Sequence, residues 1–168
     1  LLKQAVSLLQ SALVTEPRLS PACVELMRAA NMSGDKALRD VATAQCLKID
    51  PLSWNVNFEW QMTLDPRWGG SFKSLAASIE TIRAHVHTNP ALGGFLARGI
   101  GLRAYLSVLA GGSMQNAALA FEEASRVAPD PLFIGNAGEA AKERNDYPKA
   151  LGYPSQAIRL APENSSFL

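Results

Sequence analysis

The sequence predicts an all-α fold, a right-handed solenoid of about four and a half helix pairs. Three observations carry that expectation. Ala117, Phe121 and Ala124 fall on one helical face, because side chains three and four apart stack above one another, and Pro129 closes the segment. The cadence returns at Ala150, Ala157 and Pro162, and earlier at Ala5, Leu9, Ala12 and Pro17. Nothing alternates with period two for long enough to form a strand. Small residues flanking a large one let a neighbouring helix approach closely and receive the ring. A helix recurring with a period in the thirties stacks into a solenoid.

Length and composition set the bounds. The chain has 168 residues, 48% of them hydrophobic and 18% charged, enough for one domain with a real core. Sixteen basic and 15 acidic residues leave a net charge of +1. That balance argues against a nucleic-acid or anionic-membrane binder, which needs a basic excess on one face. Cys23 and Cys46 occupy apolar-face positions on different expected helices. They read as buried thiols, with a disulfide between them left open. The most apolar stretch, Leu92 to Ala110, is interrupted by Arg98 and Arg103 and reads as a core helix, so no membrane insertion of this segment is expected. The chain starts without Met inside a helical pattern, and is read as a fragment or processed form, one domain over 1–168.

Taken in order, Leu1 to Thr15 is helical, with Leu2, Ala5, Val6, Leu9, Ala12 and Leu13 at helical spacing. Ser20-Pro21 reads as a capping hydroxyl followed by a first-turn proline. That helix stops at Ser33-Gly34-Asp35. The next carries Leu38, Val41, Ala42, Cys46 and Ile49 inward, with Asp35 and Arg39 as an i,i+4 surface pair. Ser53 caps a helix whose apolar positions are Trp54, Phe58, Met62 and Leu64, ending at Asp65-Pro66. Gly69 and Gly70 permit a turn, and Ser71 caps a helix with Phe72, Leu75, Ala76, Ile79, Ile82 and Val86 inward. Asn89-Pro90 opens the glycine-rich helix, and Gly111-Gly112-Ser113 separates it from the Ala/Phe helix. Asp130-Pro131 and Tyr147-Pro148 open the last two.

The run from Pro131 to Pro162 resembles a tetratricopeptide repeat. Gly138 stands where that family places its close-packing glycine, Asn145-Asp146-Tyr147 at the inter-helix turn, then Ala150, Ala157 and Pro162. Closing prolines fall at intervals of 34, 39, 39 and 33 residues, so the middle repeats are irregular. Pro154 stands where the motif has an aromatic, and should kink or shorten the last helix. The box Pro66-Arg67-Trp68-Gly69-Gly70-Ser71 resembles one found in bacterial, tetratricopeptide-like proteins of a domain family with no assigned function. The resemblance implies a fold and a bacterial source, not a chemistry.

Candidate chemistry is sparse. His85 and His87 lie about 200° apart around a helix and cannot share a metal, and no Cys or acidic cluster accompanies them. No metal or cofactor is expected. Gly93-Gly94 and Gly99-x-Gly101 lie within a helical pattern, where they allow close packing instead of cradling a phosphate. No serine sits in a nucleophile-elbow pattern. Glu122-Glu123, Glu139 and Glu143 read as solvated faces, Glu122 pairing with Arg126. At the glycine box, Trp68 is expected to plug a repeat junction and Arg67 to hydrogen-bond carbonyls ending the preceding helix; the alternative is a recognition loop.

Function is therefore expected from architecture: a non-catalytic module binding another protein or peptide, as scaffold, adaptor or immunity-type binder. The first helix of each pair lines the concave side of such arrays. Its polar candidates here are Arg28, Asn31, Asn55, Glu59, Asn136, Glu139 and Lys142, joined by Arg67 and Trp68. Their mixed charge disfavours a clamp for a C-terminal carboxylate. The alternative is a helical-repeat enzyme or small-ligand domain using Arg67, Arg98 and Arg103 as anion contacts. Self-association through the N-terminal helix is a further expectation. A cytoplasmic location is favoured, with the periplasm as the other candidate.

Overall fold

In the computed structural model the described residues are 1–162, apart from the Trp68 side chain. Among them are nine α-helices and no strand. The helices are α1 (Leu2–Thr15), α2 (Ser20–Ser33), α3 (Lys36–Ile49), α4 (Trp54–Gln61), α5 (Phe72–His85), α6 (Gly93–Leu109), α7 (Met114–Val127), α8 (Pro131–Glu143) and α9 (Tyr147–Leu160). Short 3₁₀ turns occupy Pro66–Trp68 and Pro90–Leu92.

Local chemistry explains most boundaries. Asp35, Ser53, Ser113, Asp130 and Asp146 each accept a backbone N–H of the first turn of α3, α4, α7, α8 and α9, satisfying a donor that has no intrahelical partner. Ser71 does the same for α5, accepting the Ser74 N–H at 3.0 Å, while the Ser71 N–H donates to Ser74 Oγ. Gly34 ends α2 in the left-handed region at φ 71°. The expected cap at Ser20 is not formed. Leu19 takes the capping position and the Ser20 hydroxyl lies 3.4 Å from Asp50 Oδ2, a long-range contact. Asp35, engaged as a cap, leaves Arg39 to other partners, so the expected Asp35–Arg39 pair gives way to Lys36–Asp40 at 3.0 Å.

Two compact units result. Among the described residues the first comprises 1–74 and 84–92, the second 75–83 and 93–162. In the first, α2 packs on α1, α3 and α4. Leu13, Cys23, Leu26, Met27, Ala30, Ala42, Cys46 and Val56 form its core, with Val6, Leu9 and Ile49 packed against it. The two cysteines are joined in a disulfide at 0% exposure, so the thiol reading is replaced by a covalent α2–α3 bond. The loop before α4 is held by amides. Asn57, 1% exposed, donates to the Pro51 and Ser53 carbonyls at 2.9 and 2.8 Å, and Asn89 donates to the Leu52 carbonyl at 2.8 Å.

In the second unit α6 packs on α7, α7 on α8 and α8 on α9. Its interior is built from alanines around a few rings. Ala117, Phe121, Ala124 and Ala157 of the Ala/Phe cadence are buried, and so are Ala137, Ala140 and Ala141 of α8. Close approach is visible at Gly101, where a Cβ would run into the Phe133 ring, and at Gly138, where one would meet Pro154 Cδ at 2.9 Å. Pro154 does not shorten α9, which continues to Leu160. Its ring occupies the space that Gly138 leaves open.

Candidate functional site

The polar residues expected to face a partner divide between the two units. In the first, α2 and α4 bring Arg28, Asn31 and Glu59 together. Arg28 Nε donates to Glu59 Oε1 at 2.6 Å, and its Nη1 donates to Glu25 Oε1 at 2.8 Å. Asn31 Nδ2 reaches the Glu59 backbone carbonyl at 3.5 Å, and Asn31 Oδ1 is buried without a hydrogen-bond partner among the described residues. The Glu59 side chain is 8% exposed, whereas Arg28 and Glu25 are 47% and 55% exposed. One buried carboxylate thus stands behind an exposed guanidinium and aims it outward. The Arg28 pKa is raised, chiefly by the hydrogen bond it donates to Glu59, then by the Coulombic attraction of Glu59 and Glu25. A planar cation fixed in this way presents its remaining N–H groups as a directional donor set.

Arg28 and Glu25 line an open cleft of about 270 Å³ together with Ser20, Val24 and Asn55. Asn55 is exposed at its rim. Glu25 and Ser20 are participants that the helix-by-helix reading missed. The i,i+3 spacing of Glu25 and Arg28 was the available signal. Glu59 is buried because α4 turns Val56, Asn57, Glu59 and Gln61 inward. Trp54 and Met62, expected in the core, are each 49% exposed, and Trp54 stacks on Phe58 with ring centroids 5.3 Å apart.

In the second unit Asn136, Glu139 and Lys142 share α8. Glu139 and Lys142 are exposed and lie 3.9 Å apart, and Asn136 Nδ2 is buried without a hydrogen-bond partner among the described residues. Glu122, read as solvated, instead accepts from Arg144 Nη2 at 2.8 Å with Lys149 at 3.7 Å, while Arg126 Nε donates to the Glu122 backbone carbonyl at 3.3 Å.

At the glycine box, Arg67 grips a carboxylate. Its guanidinium donates to Asp65 through Nε at 3.1 Å and Nη2 at 2.6 Å, while Asp65 Oδ1 also accepts the Arg67 N–H at 2.9 Å. Gly69 has φ 88°, and a Cβ on Gly70 would collide with the Leu64 carbonyl. The box therefore needs both glycines, one for conformation and one for space. The Trp68 side chain, expected as a plug, lies outside the described residues. No group of three or more His, Cys, Asp or Glu side chains suited to a metal occurs among the described residues. No helix there is long and apolar enough to cross a membrane.

Caps, helix pairs and close-packing glycines define the chain as an α-solenoid of tetratricopeptide-like helical repeats. No protein-family model and no curated protein matches the sequence. Among solved structures, one from the functional characterization of Pseudomonas aeruginosa PilF, a tetratricopeptide-type protein, is similar, with a TM-score of 0.62 at 16% identity over 99% of this chain and 72% of that one. At that identity the likeness carries the fold.

Proposed function

We propose that this chain is a non-catalytic protein-interaction module, and that the Arg28 cleft between α2 and α4 is a contact surface for a protein or peptide. The observation that supports it most is the Glu59–Arg28–Glu25 chain, in which a buried carboxylate holds an exposed cation over an open cleft. The exposed Arg28–Glu25 pair adds little to stability, whereas a pre-aimed guanidinium beside an amide is a recognition device, arginine being favoured at interfaces. The partner would offer a carboxylate or carbonyls to Arg28 and a hydrogen-bonding edge to Asn55. Asn136, Glu139 and Lys142 on α8 are a second candidate surface, and Arg67, clasped by Asp65, a weaker one.

The Pro66–Ser71 box supports membership of a bacterial group built around that turn. The buried disulfide favours an oxidising compartment such as the periplasm over the cytoplasm, because cytosolic thiol systems keep such pairs reduced. The test of function is affinity capture with the tagged chain from an extract of its source organism, comparing the unaltered protein with Arg28→Glu, Asn136→Ala/Glu139→Ala and Arg67→Ala. One stoichiometric partner lost only with Arg28→Glu is the expected result. Retention through that charge reversal would remove the cleft from the account.

A further inference from the structure

A second cavity, of about 410 Å³, lies within the first unit among α3, the end of α4 and the glycine box. Its volume suits a small molecule. The walls carry Lys36, Arg39 and Asp40, an excess of one positive charge. Arg39 is the unusual member. Its side chain is only 17% exposed, yet its nearest carboxylate oxygen, Asp40 Oδ1, is 4.0 Å from Nε, and its other polar contact is a long 3.4 Å hydrogen bond to the Gly69 carbonyl. Asp40 is held more closely by Lys36, at 3.0 Å. A guanidinium offers five N–H donors in a fixed fork, and withdrawing it from water is costly unless acceptors replace the water. Among the described residues the protein supplies one carbonyl and a distant carboxylate.

The rest of the cavity is amphipathic. Trp60, Leu47 and Leu64 supply apolar wall, and Ser71 and Ser74 a hydroxyl edge. The glycines form part of its wall: a Cβ on Gly70 would collide with the Leu64 backbone, so that stretch of the box packs directly on the turn that follows α4, while a Cβ on Gly69 would stand in ordinary contact with the Arg39 guanidinium, at 3.9 Å.

We propose that this cavity binds a small organic monoanion, a carboxylate on an apolar body, with Arg39 as its anchor. A planar, singly charged oxyanion matches both the one excess charge and the bidentate geometry of the guanidinium. The apolar body lies against Trp60 and Leu47. This assigns the glycine box a role: it shapes a ligand cavity whose cation is Arg39, while Arg67 is committed to Asp65.

The test is an NMR titration of the ¹⁵N-labelled full chain with benzoate, following Arg39 Nε and the Trp60 indole N–H. Benzamide serves as the neutral isostere and acetate as the acid without a body. The expected result is saturable movement of both signals, with affinity about tenfold or more weaker for benzamide and acetate and in Arg39→Gln, the scale of one charge-assisted contact. Arg39→Lys, which keeps the charge without the fork, should fall between Arg39→Gln and the unaltered chain. It also serves as the informative variant should Arg39→Gln lower the unfolding temperature. A tripeptide ending in phenylalanine with a free carboxylate separates the two sources of the acid. Binding equal to benzoate indicates a chain end and absence of binding a free small acid, and both keep the site. Non-saturating shifts, equal response to benzamide, or unchanged benzoate affinity in both Arg39 variants would overturn the proposal.

Discussion

Glu59, nearly buried on α4, accepts a 2.6 Å hydrogen bond from the exposed Arg28 of α2, thirty-one residues earlier in the chain. The asymmetry matters. Removing the cation leaves a carboxylate out of water with its main charge partner gone, whereas removing both leaves nothing unpaired. Arg28→Ala should therefore destabilise the protein more than Arg28→Ala made in a Glu59→Leu background. A double-mutant cycle by urea unfolding measures the difference, and additivity within error would show that the pair is not coupled.

The Cys23–Cys46 disulfide closes a loop across a sequence separation of 23. In the chain-entropy account such a loop contributes about 3 kcal/mol through the unfolded state. Cys23→Ala/Cys46→Ala should lower stability by about that amount. The unaltered protein should show no free thiol by thiol titration until it is unfolded under reductant.

The two glycines of the box make different demands. Gly69→Ala meets only the positive φ, at a cost of about 1 kcal/mol. Gly70→Ala also forces its Cβ into the Leu64 carbonyl and should cost more, about 2–3 kcal/mol. Chemical denaturation of the two variants side by side checks the order.

Pro154 lies inside α9, where it cannot donate to the carbonyl four residues earlier. Replacing an interior proline with alanine recovers about 3 kcal/mol of helix propensity. Part of that is offset by losing the ring that fills the space beside Gly138. Pro154→Ala should stabilise by about 1–2 kcal/mol, read as a raised thermal midpoint. Pro154→Ala with Gly138→Ala shows whether the vacated space accepts a methyl group.

Sequence carried the fold where one face decided it. The Ala117/Phe121/Ala124 rhythm placed a buried stripe correctly because alanine and phenylalanine alternate with polar residues on the other side. In α4 that logic failed. Trp54, Phe58 and Met62 share an apolar row, but the buried side belongs to Val56, Asn57 and Glu59, since Asn57 secures two loop carbonyls and Glu59 finds Arg28. Arg28 lies 31 residues from Glu59 and the Pro51 carbonyl six from Asn57, neither of them a helical spacing. Glu122 was misplaced for the same reason, its cation being Arg144 on a later segment and not Arg126 one turn away. Periodicity reports which face is apolar; it is silent on pairs that meet only in the folded chain. The candidate surface was accordingly legible as residue types on α2 and α4, while its organisation around a buried carboxylate was not.

Whether the Arg28 cleft contacts a protein partner is decided by site-specific photocrosslinking in cells of the source organism. A photoreactive residue at Asn55, on the cleft, is compared with one at Lys3, exposed on α1. One discrete adduct is expected from position 55, absent from position 3 and lost when Arg28→Glu is added. No adduct from position 55, or the same adducts from both positions regardless of Arg28, would contradict that contact.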